Sequence, residues 1–107
     1  MKKEKLLRIF IDSEDKYNGE LLWKYILKSV KERGLAGATV IKAAAGIGSH
    51  SEIHTISVLA LSFNLPLIIE IIDEEKKIED FISFIDTFLE EGLVTVQDVE
   101  VKIYRHR

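Results

Sequence analysis

At 107 residues, 47% of them apolar and 31% charged, the chain is long enough to bury one real core and short for two domains. A net charge of −3 with no long block of either sign counts against a general nucleic-acid surface, and the lack of cysteine excludes disulfides, thiolate metal sites and a cysteine nucleophile. The apolar run after the basic start covers only residues 6–11, too short for a signal peptide. The uncharged run at 55–69 falls short of the about 20 residues of a membrane span and is broken at Asn64-Leu65-Pro66, so a single cytoplasmic domain over residues 1–107 is expected.

Residues 6–12 alternate: Leu7, Ile9 and Ile11 face one side, and Leu6, Arg8, Phe10 and Asp12 the other. That is the period of a strand with one side in the core. Residues 12–19 are polar and turn-rich, with Asn18 as a helix N-cap and Glu20 in the first turn, where the helix dipole favours a carboxylate. From Gly19 the period becomes helical. Leu22, Ile26 and Val30 line up with Trp23 and Leu27 beside them, and Lys31, Arg33 and Gly34 make a stop signal. Residues 38–45 read as a second strand that ends in Gly46-Ile47-Gly48-Ser49, and 46–55 as an exposed loop. Residues 55–62 suit either a strand extension or a short helix. Residues 67–72 form a strand that is apolar on both faces except at Glu70; Pro66 can open it but could not sit at its centre. Asp73 reads as the N-cap of a second helix, with Glu74 and Glu75 in its first turn. Its buried stripe is Ile78, Phe81, Ile82, Ile85, Phe88 and Leu89, ending at Glu91-Gly92. A final strand runs through Val99, Val101 and Ile103, and residues 93–96 are a short extra strand or a turn.

The order β–α–β–β–α–β predicts an α+β fold: one four-stranded sheet with both helices on one face. Phe10, Ile41 or Val40, and the two-sided strand at 67–72 then leave apolar residues on the other face. A monomer rarely leaves such a face bare, so an oligomer with sheets packed on each other is expected.

Six segments, in this order and spacing, carry a resemblance over nearly the whole chain. They are Leu7-Arg8-Ile9-Phe10-Ile11, Gly34-Leu35-Ala36-Gly37-Ala38-Thr39-Val40, Gly46-Ile47-Gly48-Ser49, Ile53-His54-Thr55, Leu65-Pro66-Leu67-Ile68-Ile69-Glu70-Ile71-Ile72 and Gly92-Leu93-Val94-Thr95. The chain resembles the PII-like superfamily, and within it the branch catalogued as domain of unknown function 190. The resemblance implies a ferredoxin-like fold with an antiparallel sheet and a homotrimer with its three sheets facing inward. It also implies an effector cleft between subunits, and a loop at about residues 46–64 that reports ligand state to a protein or membrane-transporter target. The PII proteins proper bind adenine nucleotides and 2-oxoglutarate, which makes an adenine nucleotide the candidate effector. This chain departs from them at two places. Ser49-His50-Ser51 stands where they have a glutamine and basic residues, and the acidic stretch at 90–98 stands where they have a Gly- and Lys-rich phosphate cradle.

Gly46, Ile47, Gly48 and Ser49 offer successive backbone N–H groups, which suits an anion nest; the plainer reading is a strand end that needs flexible residues. Arg8, Arg105 and Arg107 could add cationic donors, the last two also reading as a solvated tail. His50 and His54, with Glu52 between them, could hold a metal, as in a metal-responsive trimer, or form a solvated polar loop. Asp12, Glu14 and Asp15 read as turn and cap residues. No catalytic constellation is present, so the expectation is a small-molecule-responsive regulator and not an enzyme.

Overall fold

The computed structural model describes residues 2–47, 53–55 and 65–106. Strand β1 (Lys2–Asp12) leads into a miniature ribbon, β2 (Lys16–Tyr17) and β3 (Glu20–Leu21), and then helix α1 (Leu22–Glu32). Strand β4 (Thr39–Lys42) is followed by a second ribbon, β5 (Ala45–Ile47) with β6 (Ile53–Thr55). Strand β7 (Pro66–Asp73), helix α2 (Glu75–Asp86) and strand β8 (Leu93–Val101) complete the fold. The main sheet has the order β4-β7-β1-β8 with every pair antiparallel.

The alternation in β1 and β7 works as the sequence predicts. Leu7, Ile9, Ile11, Leu67, Ile69 and Ile71 all point under the helices and are buried. They meet Leu22, Ile26 and Val30 of α1 and Ile78, Phe81 and Ile85 of α2 in one cluster, so both helices lie on the same face. The helix stripes and the strand alternation converge because periods of 3.6 and 2 each present one apolar side. At the end of α1, the Leu35 N–H donates to the Val30 carbonyl (3.1 Å) and the Gly34 N–H to the Lys31 carbonyl (3.2 Å), the paired bonds of a Schellman stop.

Several local expectations are corrected. Asn18 is not a helix cap. It has φ 50° and Gly19 has φ 79°, and two successive positive φ values are the centre of a hairpin turn, here joining β2 and β3. The N-cap of α1 is Leu21, extended and without a side-chain bond. Asp73 is the last residue of β7, and Glu74 takes the cap position. The Asp73 carboxylate instead accepts the N–H groups of Glu74 (2.7 Å) and Ala36 (2.8 Å), tying the approach to β4 to the start of α2. α2 ends at Asp86, short of Glu91, although Phe88 and Leu89 still pack on the core. Residues 93–96 belong to neither an extra strand nor a turn; they open one long strand, β8, and Ile103 lies beyond its ladder, exposed. The predicted second strand divides into β4 and β5, and part of the predicted loop at 46–55 is the β5–β6 ribbon. Residues 48–52 and 56–64, including the ambiguous 55–62 stretch but for Thr55, lie outside the described residues. Among the described residues, no helix is long and apolar enough to cross a membrane.

Candidate functional site

The face of the sheet away from the helices is organised in rows. The register aligns Ile41, Ile68, Phe10 and Leu93 across all four strands, an apolar row. The next row is Thr39, Glu70, Arg8 and Thr95, wholly polar, and beyond it come Ile72, Leu6 and Gln97. No described helix covers this face. Leu93 is 56% exposed, Ile72 44% and Ile41 40%, whereas Leu6 in the central strand is buried between its neighbours. Within the polar row the Arg8 Nε donates to Glu70 Oε2 at 2.9 Å and an Nη donates to Gln97 Oε1 at 2.5 Å. The sequence singles out Arg8 and Glu70. It gives no sign of Gln97, whose part depends on the β1–β8 register.

The second region is the root of the β5–β6 ribbon. Gly46 pairs with His54, and a Cβ on Gly46 would lie 2.9 Å from Pro66 Cγ. This glycine therefore has a packing reason of its own, a close approach to the start of β7. The Ala43 N–H donates to the Pro66 carbonyl (2.9 Å), the Ser13 N–H to the Leu65 carbonyl (2.8 Å), and the Leu65 N–H to Ser13 Oγ (2.9 Å). Both chain ends of the 46–64 segment are thus fastened to the same corner of the sheet, at the end of β1. Gly92 belongs to this end as well. Its φ is +146°, and a Cβ there would meet the Phe10 carbonyl oxygen at 2.9 Å.

The candidate anion residues are not gathered within one chain. Gly46 and Ile47 lie at the Asp12–Pro66 end of the sheet. The tail that carries Arg105 leaves from Val101, which pairs with Lys2 at the opposite end. The length of β1 separates the two, about 33 Å at 3.3 Å per residue. Arg105 is exposed. Gly48, Ser49, His50 and Arg107 lie outside the described residues, as does the side chain of His54. Among the described residues no three metal-ligating side chains converge.

A cavity of about 220 Å³ opens on the helix side, lined by Asp15, Lys16, Tyr17, Leu22, Phe88, Glu90 and Glu91. Burial raises the Asp15 carboxyl above its ordinary value, and the nearby charges of Asp12 and Glu91 add to this. The Asp12 N–H, donated to Asp15 Oδ2 at 3.0 Å, works against the rise. Near the other end of the sheet, the Lys5 ammonium bonds to Asp98, which holds the Asp98 carboxyl below its usual range; the same ammonium stands 3.8 Å from Glu75.

Comparison with known proteins adds the following. Residues 4–101 match the family model DUF190, described as "Uncharacterized ACR, COG1993". The chain is 46% identical over 99 residues to a UPF0166 protein of Aquifex aeolicus (strain VF5), covering 92% of this chain and 93% of that one. It is 36% identical over 102 residues to a UPF0166 protein of Methanocaldococcus jannaschii, covering 94% of each. Its fold is similar to that of CPII, a nitrogen regulatory PII-like protein from Thiomonas intermedia K12 whose structure holds ADP, AMP and bicarbonate. There the TM-score is 0.72 at 20% identity, over 94% of this chain and 89% of that chain. A second similar fold, that of a PII-like signaling protein from Thermus thermophilus, gives 0.67 at 21% identity, over 91% and 87%.

Proposed function

The chain belongs to the DUF190 family and has the PII-like fold, and we propose from that premise that it is a regulatory protein that binds a small anionic effector between subunits. The candidate effector is an adenine nucleotide, and the assembly is a homotrimer with the uncovered sheet faces turned inward. No catalytic step is part of this reading. The segment at 46–64 carries the ligand state to a protein target.

The observation that carries the reading is the arrangement at the two ends of the sheet. The β5–β6 ribbon is rooted at one end and the arginine tail leaves from the other, so one chain alone cannot bring both to a single anion. A neighbouring subunit can supply the tail. Arg8 is engaged by Glu70 and Gln97, which leaves the backbone N–H groups at 46–49 and the tail arginines as the donors to the effector. The nucleotides and bicarbonate held by the CPII structure define the first ligands to try.

Calorimetry with ADP and AMP, each with and without bicarbonate, tests the reading. A ligand that binds only the native protein stabilises it by about 2.7 kcal/mol at a hundred times its dissociation constant, so a thermal shift of several degrees should accompany the heat. No heat and no shift with any adenine nucleotide would refute the proposed effector class. A shift with divalent cations alone would move the account to the His50/His54 segment.

A further inference from the structure

Resting on the assembly reading above, we infer that the Arg8–Glu70 pair is the specificity-determining contact of self-association, fixing which way round a second copy of this chain lies on the uncovered sheet face. The pair sits in the middle of that face, between the apolar row Ile41–Ile68–Phe10–Leu93 and the residues Ile72 and Leu6. It is half-exposed as the single chain stands, with side chains 34% and 28% accessible. A second sheet laid on this face would remove the remaining water.

Two things argue for a second copy as the occupant. The patch holds one cation and one anion side by side, so it has no net charge with which to attract a strongly acidic or basic partner. It is, however, complementary to itself. The polar row runs across all four strands and ends in Thr39 and Thr95, hydroxyls able to bond across a contact. A copy seated in register sets polar row against polar row and apolar row against apolar row. A slip by one row, about 7 Å along the strand, would press the Arg8–Glu70 pair against Phe10 and Ile68 and leave its remaining lone pairs and protons unmet. An ion pair buried this way adds little to affinity compared with apolar residues of the same shape, but it penalises wrong arrangements, which apolar residues would tolerate. Removing one partner is a different matter, because it strands a charge in the contact.

The test compares Arg8→Met with the double variant Arg8→Met/Glu70→Leu, using sedimentation equilibrium for strength and native mass spectrometry for stoichiometry. Arg8→Met should associate at least about tenfold more weakly than the wild type, because Glu70 is left alone. The double variant should associate as tightly as the wild type but spread over more than one stoichiometry. Wild-type association by Arg8→Met, or a double variant confined to the wild-type species, would overturn the inference while leaving the assembly reading in place. A monomeric wild type would overturn the assembly reading itself, and the inference with it. Should circular dichroism show Arg8→Met unfolded, Glu70→Gln replaces it. That change keeps the shape and removes the charge, and unchanged association there is equally fatal.

Discussion

The two faces of the sheet are made by the same strands and have opposite characters. Toward the helices, Leu7, Ile9, Ile69 and Ile71 are at most 1% exposed and pack in the apolar cluster under the helices that cover them. On the other face their chain neighbours Arg8, Phe10, Ile68 and Glu70 make alternate apolar and polar rows that no described element covers. Alternate residues of one strand thus carry separate tasks. The inner set makes the chain fold; the outer set governs what the folded chain meets. A period of two makes this division possible, and it means that substitutions one residue apart should have different consequences.

The sharpest way to break this comparison is to truncate adjacent isoleucines. Ile69→Ala should cost about 3–4 kcal/mol in urea unfolding, whatever the protein concentration, because it opens a cavity among Ile9, Ile71 and the helices. Ile68→Ala should cost less, about 1 kcal/mol, with a cost that depends on concentration because it acts through association. Equal costs, both independent of concentration, would show that the outer face has no task of its own. Next in size is Gly92→Ala, where a positive φ and the Phe10 carbonyl leave no room for a Cβ; chemical denaturation should show a loss of about 2 kcal/mol.

How much of this is legible in the sequence follows from which residues act locally. The core strands, both helix stripes and the Gly34 stop are short-range patterns, and they survive intact. The Asn18-Gly19 hairpin is hidden because Glu20 and the helical period after it favour a cap reading, though Asn-Gly is itself a strong hairpin dipeptide. The extent of β8 is obscured by its exposed residues, since an edge strand with Thr95, Gln97 and Asp98 outside the core lacks a strong apolar signal. At the site, Arg8 and Glu70 stand out as charges in apolar strands. Their pairing with each other, the rows beside them and the role of Gln97 depend on register between strands up to about ninety residues apart, which no local pattern encodes. The split of the anion candidates between the two ends of the sheet likewise follows from the direction of β8.

The smallest expected effect concerns the Asp15 cavity, away from both faces. A carboxyl whose folded value is raised favours folding when protonated, and that contribution is lost as pH rises through the folded value. Asp15→Asn keeps an oxygen to accept the Asp12 N–H and removes the charge. It should therefore raise stability at pH 7 slightly, by no more than about 0.5 kcal/mol after solvent screening, and leave it unchanged well below the ordinary carboxylate range. Asp98 has the opposite sign. Its lowered value makes a contribution that is present above the ordinary carboxylate range and lost on acidification through the folded value, so Asp98→Asn should flatten the acid limb of a thermal-melt profile.

The division of labour between the two sheet faces is tested most directly by the mass of the native protein against that of Leu93→Lys, measured by sedimentation equilibrium at micromolar concentration. Leu93 is the most exposed member of the apolar row, paired with Phe10 at the sheet edge and outside the helix-side core. The account predicts three times the chain mass for the wild type and a single chain mass for Leu93→Lys, with the helical circular dichroism of the two identical. A wild type at the single chain mass, or a Leu93→Lys variant that keeps the wild-type mass, would contradict it.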